Sequence, residues 1–167
     1  PEPTDPAMGG DCAGTVVAVG SDVTRFAVGD AVFGAAKGAF AEYAIATERN
    51  LVRKPENVSF EEAAAIPTGG LTALQGLRDH GHIASGHRVL IVGASGGVGI
   101  YAVQIAKSFD TRVTAVCSAR NTDMVIGIGA DAVIDYAQHD WDGTGQYDLI
   151  LDMVGDRLFE TYVRNLT

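Results

Sequence analysis

The chain has 167 residues, of which 47% are hydrophobic and 20% are charged, and its formal net charge at pH 7 is −9. This composition is typical of a globular protein and excludes a disordered chain. No cluster of lysine and arginine offsets the acidic balance, and no apolar run approaches the roughly 20 residues of a membrane span, so we expect neither nucleic acid nor a membrane as a partner. Cys12 and Cys117 are too few for a disulfide framework and no signal peptide is evident, so we expect a reducing, cytoplasmic location.

The first third of the chain is typical of short strands separated by turns. Runs of β-branched and other apolar residues, bounded by glycine, aspartate or proline, occupy residues 14–20, 28–34, 40–47 and 51–52. Such spacing predicts a small unit that resembles a β-barrel. Tyr43, in the third run, is chemically able to act as an acid, but its apolar neighbours favour a barrel residue.

The pattern changes from strands to helices at Ser59. Ser59 and Glu62 form a capping box ahead of an alanine run, which predicts a helix that Pro67 interrupts. Residues 68–72 are then expected to lead into a second helix over residues 73–80.

Strand and helix patterns alternate from Arg88 onward. Continuous apolar runs predict buried parallel strands at residues 89–92, 113–116, 132–134 and 149–151. Amphipathic patterns predict helices at residues 98–109, 122–128 and 157–166. This alternation predicts an α/β fold with a doubly wound parallel sheet, and the few strands indicate a truncated Rossmann domain.

The first of these strands ends in a glycine-rich turn, Gly93-Ala-Ser-Gly-Gly-Val-Gly99, that leads directly into a helix. The turn follows the Gly-x-Gly-x-x-Gly fingerprint with Ala94 in the first glycine position. Gly96 is expected to let the backbone approach a pyrophosphate, and Gly99 to let the helix pack closely on the strand. We therefore predict a dinucleotide site, which Gly96→Val should block while leaving the fold largely intact; a plain tight turn is the alternative.

The end of the second strand bears on the choice of cofactor. An NAD site would carry Asp or Glu there, whereas this chain has Cys117, so that Cys117→Asp should move the preference towards NADH. Ser118 is able to donate to a 2′-phosphate and Arg120 to pair with it, so NADPH is favoured over NADH. The alternatives are that Arg120 is a solvated residue at a helix start and that Cys117 only fills space in the core.

A set of blocks, in order along the chain, resembles the zinc-independent, quinone oxidoreductase-like branch of the medium-chain dehydrogenase/reductase superfamily. One is Gly-Gly-Asp-Cys-Ala-Gly-Thr-Val-Val-Ala-Val-Gly at residues 9–20, and the others occupy residues 26–34, 38–43, 63–73, 93–99, 102–107 and 129–136. The resemblance implies a partial GroES-like catalytic domain, residues 1–62, and a partial NAD(P)-binding Rossmann domain with linker helices, residues 63–167. Since the family subunit begins before Pro1 and continues past Thr167, we expect a fragment of a longer protein.

The resemblance also implies an activity and a set of binding residues. We expect hydride transfer from NADPH to a small-molecule substrate, a quinone or an α,β-unsaturated carbonyl, in a full-length protein that forms a homodimer. The matching positions for the cofactor are Ser95, Gly96, Gly97 and Val98 at the pyrophosphate, Cys117, Ser118 and Arg120 at the 2′-phosphate end, Tyr136 near the adenosine, Val154 and Gly155 near the nicotinamide ribose, and Thr68 and Thr72 near the nicotinamide. For Thr68, helix capping is an equal alternative. The chain departs from the family at Asp110, where glycine is common, so we expect a costly helix C-terminus there.

No metal site is predicted. Zinc enzymes of the superfamily carry Gly-His-Glu where this chain has Gly9-Gly10-Asp11, and glycine cannot replace the imidazole ligand. His80, His82 and His87 are expected to lie in an exposed connector, and no general acid is identifiable. The alternatives for function are an enoyl-thioester reductase or another alcohol dehydrogenase-like member of the superfamily, and a non-catalytic NADPH-binding protein.

Overall fold

The computed structural model describes residues 8–167. The chain divides into two compact units, Pro1–Thr68 and Gly69–Thr167. This division by packing falls a few residues after the domain boundary at residues 62/63, which stays a prediction. None of the helices within the described range is long and apolar enough to cross a membrane.

The first unit contains a three-stranded antiparallel sheet. Its strands, which lie side by side in chain order, are β1 (Asp11–Thr15), β2 (Ala31–Ala35) and β3 (Leu51–Arg53). A short 3-10 turn over Glu48–Asn50 leads into β3. Gly34 has φ +150°, and a Cβ there would lie 2.0 Å from the Asn50 carbonyl oxygen, so the close approach of the two segments requires glycine.

The strand predicted over residues 40–47 is wrong. The structure has only one isolated bridge there, between Lys37 and Ile45, and Phe40, Tyr43 and Ile45 are 80%, 73% and 88% exposed. An apolar pattern becomes a strand only when a neighbouring strand pairs with it, and none between residues 8 and 167 pairs with this segment. Tyr43 is therefore not a buried barrel residue here. The first predicted strand also lies earlier, at 11–15 rather than 14–20.

Helix α1 (Phe60–Ala65) begins at the predicted capping box. The Ser59 hydroxyl accepts from the Glu62 N–H at 3.1 Å, and the Glu62 carboxylate accepts from the Ser59 N–H at 2.8 Å. Helix α2 (Pro67–Leu74) starts at the proline and continues into a π-helical turn over Gln75–His80. The predicted connector at residues 68–72 is thus helical, because proline is favourable in the first position of a helix and need not interrupt one.

The second unit is the predicted parallel sheet with helices. Its strands are β4 (Arg88–Val92), β5 (Arg112–Cys117), β6 (Ala132–Asp135) and β7 (Leu149–Asp152), and its further helices are α3 (Gly99–Ser108), α4 (Thr122–Gly127) and α5 (Phe159–Asn165). In the strand order β6-β5-β4-β7, β5 and β6 are added on one side of β4 and β7 on the other. The glycine turn after β4 therefore lies at the topological switch point, where doubly wound sheets bind ligands.

Both faces of this sheet are covered, as the continuous apolar runs predicted. On one face the core contains Val89, Ile91, Val113 and Ala115 of the sheet together with Ala102, Val103 and Ala106 of α3. On the other face Leu90, Val92 and Val116 pack with Trp141 and Tyr147. The sheet is therefore a rigid support for the segments that follow its strands.

Asp110 takes the left-handed conformation predicted from the family pattern. Its φ is +58°, a backbone geometry that costs energy for a residue other than glycine. Two hydrogen bonds oppose this cost: the Asp110 carbonyl accepts from the Gly86 N–H at 2.9 Å, and its carboxylate accepts from the Ser85 hydroxyl at 3.1 Å.

Candidate nucleotide-binding site

The turn between β4 and α3 is held by the neighbouring strand. The N–H groups of Gly93 and Ala94 both donate to the Val116 carbonyl of β5, at 3.1 and 3.0 Å, and Gly93 has φ +80°. A Cβ on Gly99 would lie 2.2 Å from the Gly93 carbonyl oxygen. This geometry agrees with the close packing of helix on strand for which the sequence predicts glycine at position 99.

The outer side of the turn presents hydrogen-bond donors without partners. The backbone N–H groups of Ser95, Gly97 and Val98 donate to no group within residues 8–167. A Cβ on Gly97 would meet no atom within 4 Å, so open space adjoins the turn at this residue. Free amides at the N-terminus of the ten-residue helix α3 are chemically suited to phosphate oxygens, and the turn thus fits the pyrophosphate of a dinucleotide.

Gly96 has a tighter environment than the sequence indicated. Its N–H donates to the Gly93 carbonyl at 3.0 Å, and a Cβ on Gly96 would lie 3.2 Å from that same oxygen. The expectation that Gly96→Val leaves the fold largely intact therefore changes, because a branched side chain would press on the turn itself as well as on a ligand.

Cys117, at the end of β5, has its side chain in the core. The residue is 2% exposed and belongs to the cluster that packs against α3. Burial, and then the nearby charge of Asp135, raise the pKa of the Cys117 thiol. These observations favour the alternative that Cys117 fills space, and they argue against both a reactive thiolate and a side-chain contact with a ligand.

The residues after Cys117 approach the glycine turn. The side-chain amide nitrogen of Asn121 donates to the hydroxyl oxygen of Ser95 at 2.9 Å and to that of Ser118 at 3.2 Å. The structure thereby brings together two residues that sequence analysis assigned to different phosphates. Asn121 itself was missed, since an asparagine at the start of a helix carries no distinctive sequence signal.

Arg120 and Tyr136 lie at the same end of the sheet. Arg120 is exposed and forms no salt bridge within the described part of the chain, so its guanidinium is available to an anion. Tyr136 is 64% exposed, and its N–H donates to the Cys117 carbonyl at 3.3 Å, which holds the tyrosine beside the end of β5.

The segment after β7 is shaped by Asp152. One carboxylate oxygen accepts from the N–H groups of Val154 at 2.6 Å and Gly155 at 3.0 Å, and the other accepts from the Tyr162 hydroxyl at 2.8 Å. Burial and the hydrogen bond to Asp152 raise the pKa of Tyr162. A Cβ on Gly93 would lie 3.4 Å from Val154 Cγ2, so the predicted ribose-binding residues adjoin the glycine turn. Asp152, which holds them, was also missed.

Thr68 belongs to the first unit and is bound by Asp11. The Thr68 N–H and hydroxyl donate to the two Asp11 carboxylate oxygens at 2.9 and 2.7 Å. Both residues line a cavity of about 520 Å³ together with Gly10, Phe40, Ala64 and Ala65. Thr68 lies inside α2 and its hydroxyl donates to Asp11, so the contact is not the helix capping of the alternative, and the role of Thr68 at the nicotinamide stays a prediction. Thr72 is exposed.

Two family models match the chain. The alcohol dehydrogenase GroES-like domain matches residues 1–56, and the zinc-binding dehydrogenase family matches residues 97–167. The chain is also 52% identical over 143 residues to a protein of Spinacia oleracea described as a chloroplastic quinone-oxidoreductase homolog. The chain belongs to the medium-chain dehydrogenase/reductase superfamily. Within the superfamily it is quinone oxidoreductase-like, as the ordered sequence blocks predicted.

Solved structures of the superfamily agree with the fold. The quinone oxidoreductase of Coxiella burnetii superposes with a TM-score of 0.82 at 37% identity, covering 89% of this chain and 49% of that one. A mycobacterial protein complexed with NADPH superposes with a TM-score of 0.85 at 31% identity, covering 96% of this chain and 54% of that one. The spinach alignment covers 80% of this chain, and the chain spans 43% of that protein.

Proposed function

We propose that this protein is an NADPH-dependent oxidoreductase that transfers a hydride to a quinone or to an α,β-unsaturated carbonyl. The observation that carries the proposal is that the amides of Ser95, Gly97 and Val98 donate to no group within residues 8–167, next to the hydrogen-bonded Ser95–Asn121–Ser118 cluster. These groups are suited to a phosphate-rich ligand. Membership of the quinone oxidoreductase-like branch and the NADPH bound by a mycobacterial relative support the choice of ligand.

The preference for NADPH over NADH rests on the end of β5. Residues 118–120 are Ser-Ala-Arg, which contribute a hydroxyl, no carboxylate of their own, and a guanidinium that forms no salt bridge within residues 8–167. A carboxylate here would repel a 2′-phosphate, whereas arginine pairs with phosphate oxygens in fork geometry. Residues 118–120 are thus electrostatically suited to the additional phosphate of NADPH. The nearby carboxylate of Asp135, at the end of β6, accepts from the Ala137 N–H and the Gln138 side chain.

The chain's own residues would bind and orient the reactants. When bound, NADPH supplies the hydride. The turn amides hold the pyrophosphate, Asp152 holds the backbone of Val154 and Gly155 beside that turn, and Asp11 holds the Thr68 hydroxyl at the cavity of the first unit. We propose that no metal takes part, so hydrogen bonds alone polarise the carbonyl; this favours conjugate reduction, in which the enolate takes its proton from water or a weak acid.

The test compares NADPH and NADH in the full-length protein and in its Arg120→Ala variant, with quinones and enones as substrates. A charge-assisted hydrogen bond contributes about 1.5–3 kcal/mol, and each 1.4 kcal/mol is about tenfold in affinity. Arg120→Ala should therefore weaken NADPH about 10- to 100-fold and leave NADH almost unchanged.

Three outcomes would contradict parts of this proposal. A wild-type preference for NADH would remove the NADPH assignment. Equal losses for both cofactors in Arg120→Ala would mean that Arg120 supports the fold. Cofactor binding without oxidation across the substrates would indicate a non-catalytic binding protein.

The partners and location belong to the same proposal. We expect a small-molecule substrate, a homodimer of the full-length protein, no nucleic-acid or membrane partner, and a cytoplasmic location. The spinach relative is described as chloroplastic, so fractionation of cells that express the full-length protein is the direct test of location.

A further inference from the structure

The side-chain amide of Asn121 donates hydrogen bonds to two serines. An asparagine amide nitrogen carries two hydrogens, and here one goes to the Ser95 hydroxyl oxygen and the other to that of Ser118. The side chain is partly buried, which separates this arrangement from the freely rotating asparagines of an exposed loop. One residue therefore ties the glycine turn after β4 to the segment after β5.

This arrangement sets the direction of both hydroxyl groups. Each serine oxygen accepts a hydrogen bond from Asn121, so the hydrogen of each serine hydroxyl is left to donate to another group. Neither hydroxyl donates to any other group in the described part of the chain. A phosphate dianion only accepts hydrogen bonds, so two hydroxyl donors, together with the exposed Arg120 that precedes Asn121 in sequence, match its chemistry.

We propose that Asn121 is a positioning residue that determines cofactor specificity by holding the hydroxyls of Ser95 and Ser118 as donors for the 2′-phosphate of NADPH. The inference rests on the proposed function, since it requires the 2′-phosphate to lie at this end of the sheet. Asn121 acts through the serines and does not contact the phosphate itself.

The hydrogen bonds of Asn121 show that its side chain is not needed to start helix α4. The Asn121 side chain forms no capping hydrogen bond to α4, and the turn is closed by its backbone N–H, which donates to the Ser118 carbonyl at 2.9 Å. A substitution of the side chain leaves that backbone bond in place. An aspartate at the N-terminus of a helix is in addition electrostatically favourable, so Asn121→Asp should fold.

The experiment measures the binding of adenosine 2′,5′-bisphosphate and of 5′-AMP to the full-length protein by calorimetry. Asn121→Leu, which removes both donors at similar size, should weaken the bisphosphate about 3- to 10-fold and leave 5′-AMP unchanged. Asn121→Asp should weaken the binding of the bisphosphate about 100-fold, because a carboxylate accepts hydrogen bonds from both serine hydroxyls and repels the phosphate.

A charge control and a double-variant cycle complete the test. Met124→Asp adds the same charge at an exposed position of α4, outside residues 118–120, and its effect on the bisphosphate should stay below about tenfold because of solvent screening. In the background Ser95→Ala with Ser118→Ala, Asn121→Leu should have no further effect, since its coupling partners are gone.

The failures are distinguishable. If wild-type protein binds both ligands equally, the NADPH assignment fails and the inference fails with it. If wild-type protein prefers the bisphosphate but the Asn121 variants bind like wild type, only the inference is overturned. The same holds if Asn121→Leu weakens both ligands equally, or if its effect persists without the serine hydroxyls.

Discussion

Gly97 and Gly99 are two residues apart in the same turn, and their surroundings are opposite. A Cβ on Gly97 meets no atom within 4 Å, whereas a Cβ on Gly99 would lie 2.2 Å from the Gly93 carbonyl oxygen. Gly97→Ala should therefore keep the free energy of unfolding and weaken NADPH binding. Gly99→Ala should lower the free energy of unfolding by about 1–3 kcal/mol, because a well-packed turn cannot admit the methyl group.

Urea unfolding and cofactor titration on this matched pair separate packing from binding. Unchanged NADPH affinity in Gly97→Ala would mean that the pyrophosphate does not approach this side of the turn. Gly96→Val is less informative, since the Gly93 carbonyl already lies 3.2 Å from its Cβ position.

Substitution of Ser118 by aspartate, and not that of Cys117, should change the cofactor preference from NADPH to NADH. In the sequence, Cys117 holds the place of the NAD-type aspartate, but its side chain is buried in the core, where an unpaired carboxylate is costly. Cys117→Asp should therefore mainly destabilise the protein. Ser118→Asp should lower kcat/KM for NADPH and raise that for NADH, since a carboxylate repels phosphate and accepts from the ribose hydroxyl. Retained NADPH preference in a folded Ser118→Asp variant would place the 2′-phosphate elsewhere.

At the scale of elements, Asp148 joins the beginnings of β4 and β7. Its carboxylate accepts from the Arg88 N–H at 2.7 Å, from the Arg88 side chain at 3.3 Å and from the Thr167 hydroxyl at 3.0 Å. The backbone and then the side chain of Arg88 lower the pKa of Asp148 from 3.8 to about 2. Because the folded protein holds this carboxylate ionised, its stabilisation is complete above pH 3.8 and is lost as the pH falls towards 2.

Asp148→Asn should consequently lower the melting temperature at pH 7 and flatten the fall in melting temperature between pH 3.8 and 2. Thermal unfolding across this pH range is the measurement. Asp123→Asn is the matched control, because Asp123 is exposed and forms no side-chain hydrogen bond or salt bridge with any residue in the described range. An acid profile of Asp148→Asn that parallels the wild type would assign the acid sensitivity to other carboxylates.

For the whole molecule, the absence of stoichiometric zinc is the broadest prediction. Gly10 stands where zinc enzymes of the superfamily carry histidine, and both oxygens of the neighbouring Asp11 accept hydrogen bonds from Thr68. Purified full-length protein should contain no bound zinc by elemental analysis, and chelators should leave its activity unchanged. One tightly held zinc per subunit, with activity lost on chelation, would refute the metal-free mechanism.

Much of the fold could be predicted from local sequence patterns. The apolar runs predicted all four strands of the parallel sheet, and the Ser59 capping box predicted the start of α1. These predictions succeeded because hydrophobic periodicity and capping depend on residues close in sequence. The strand at residues 40–47 was wrong, since an apolar alternation does not supply the neighbour with which a strand pairs.

The sequence by itself determined the α/β class, the glycine turn and its place between a strand and a helix, and the family. Only the tertiary structure decided which side chains meet at that turn. Asn121 reaches Ser95 because β4 and β5 are adjacent in the sheet, and Val154 lies beside Gly93 because β7 is the other neighbour of β4. Cys117 points into the core because its strand register places it against α3. Strand order and register are set by long-range packing, so no local pattern contains them.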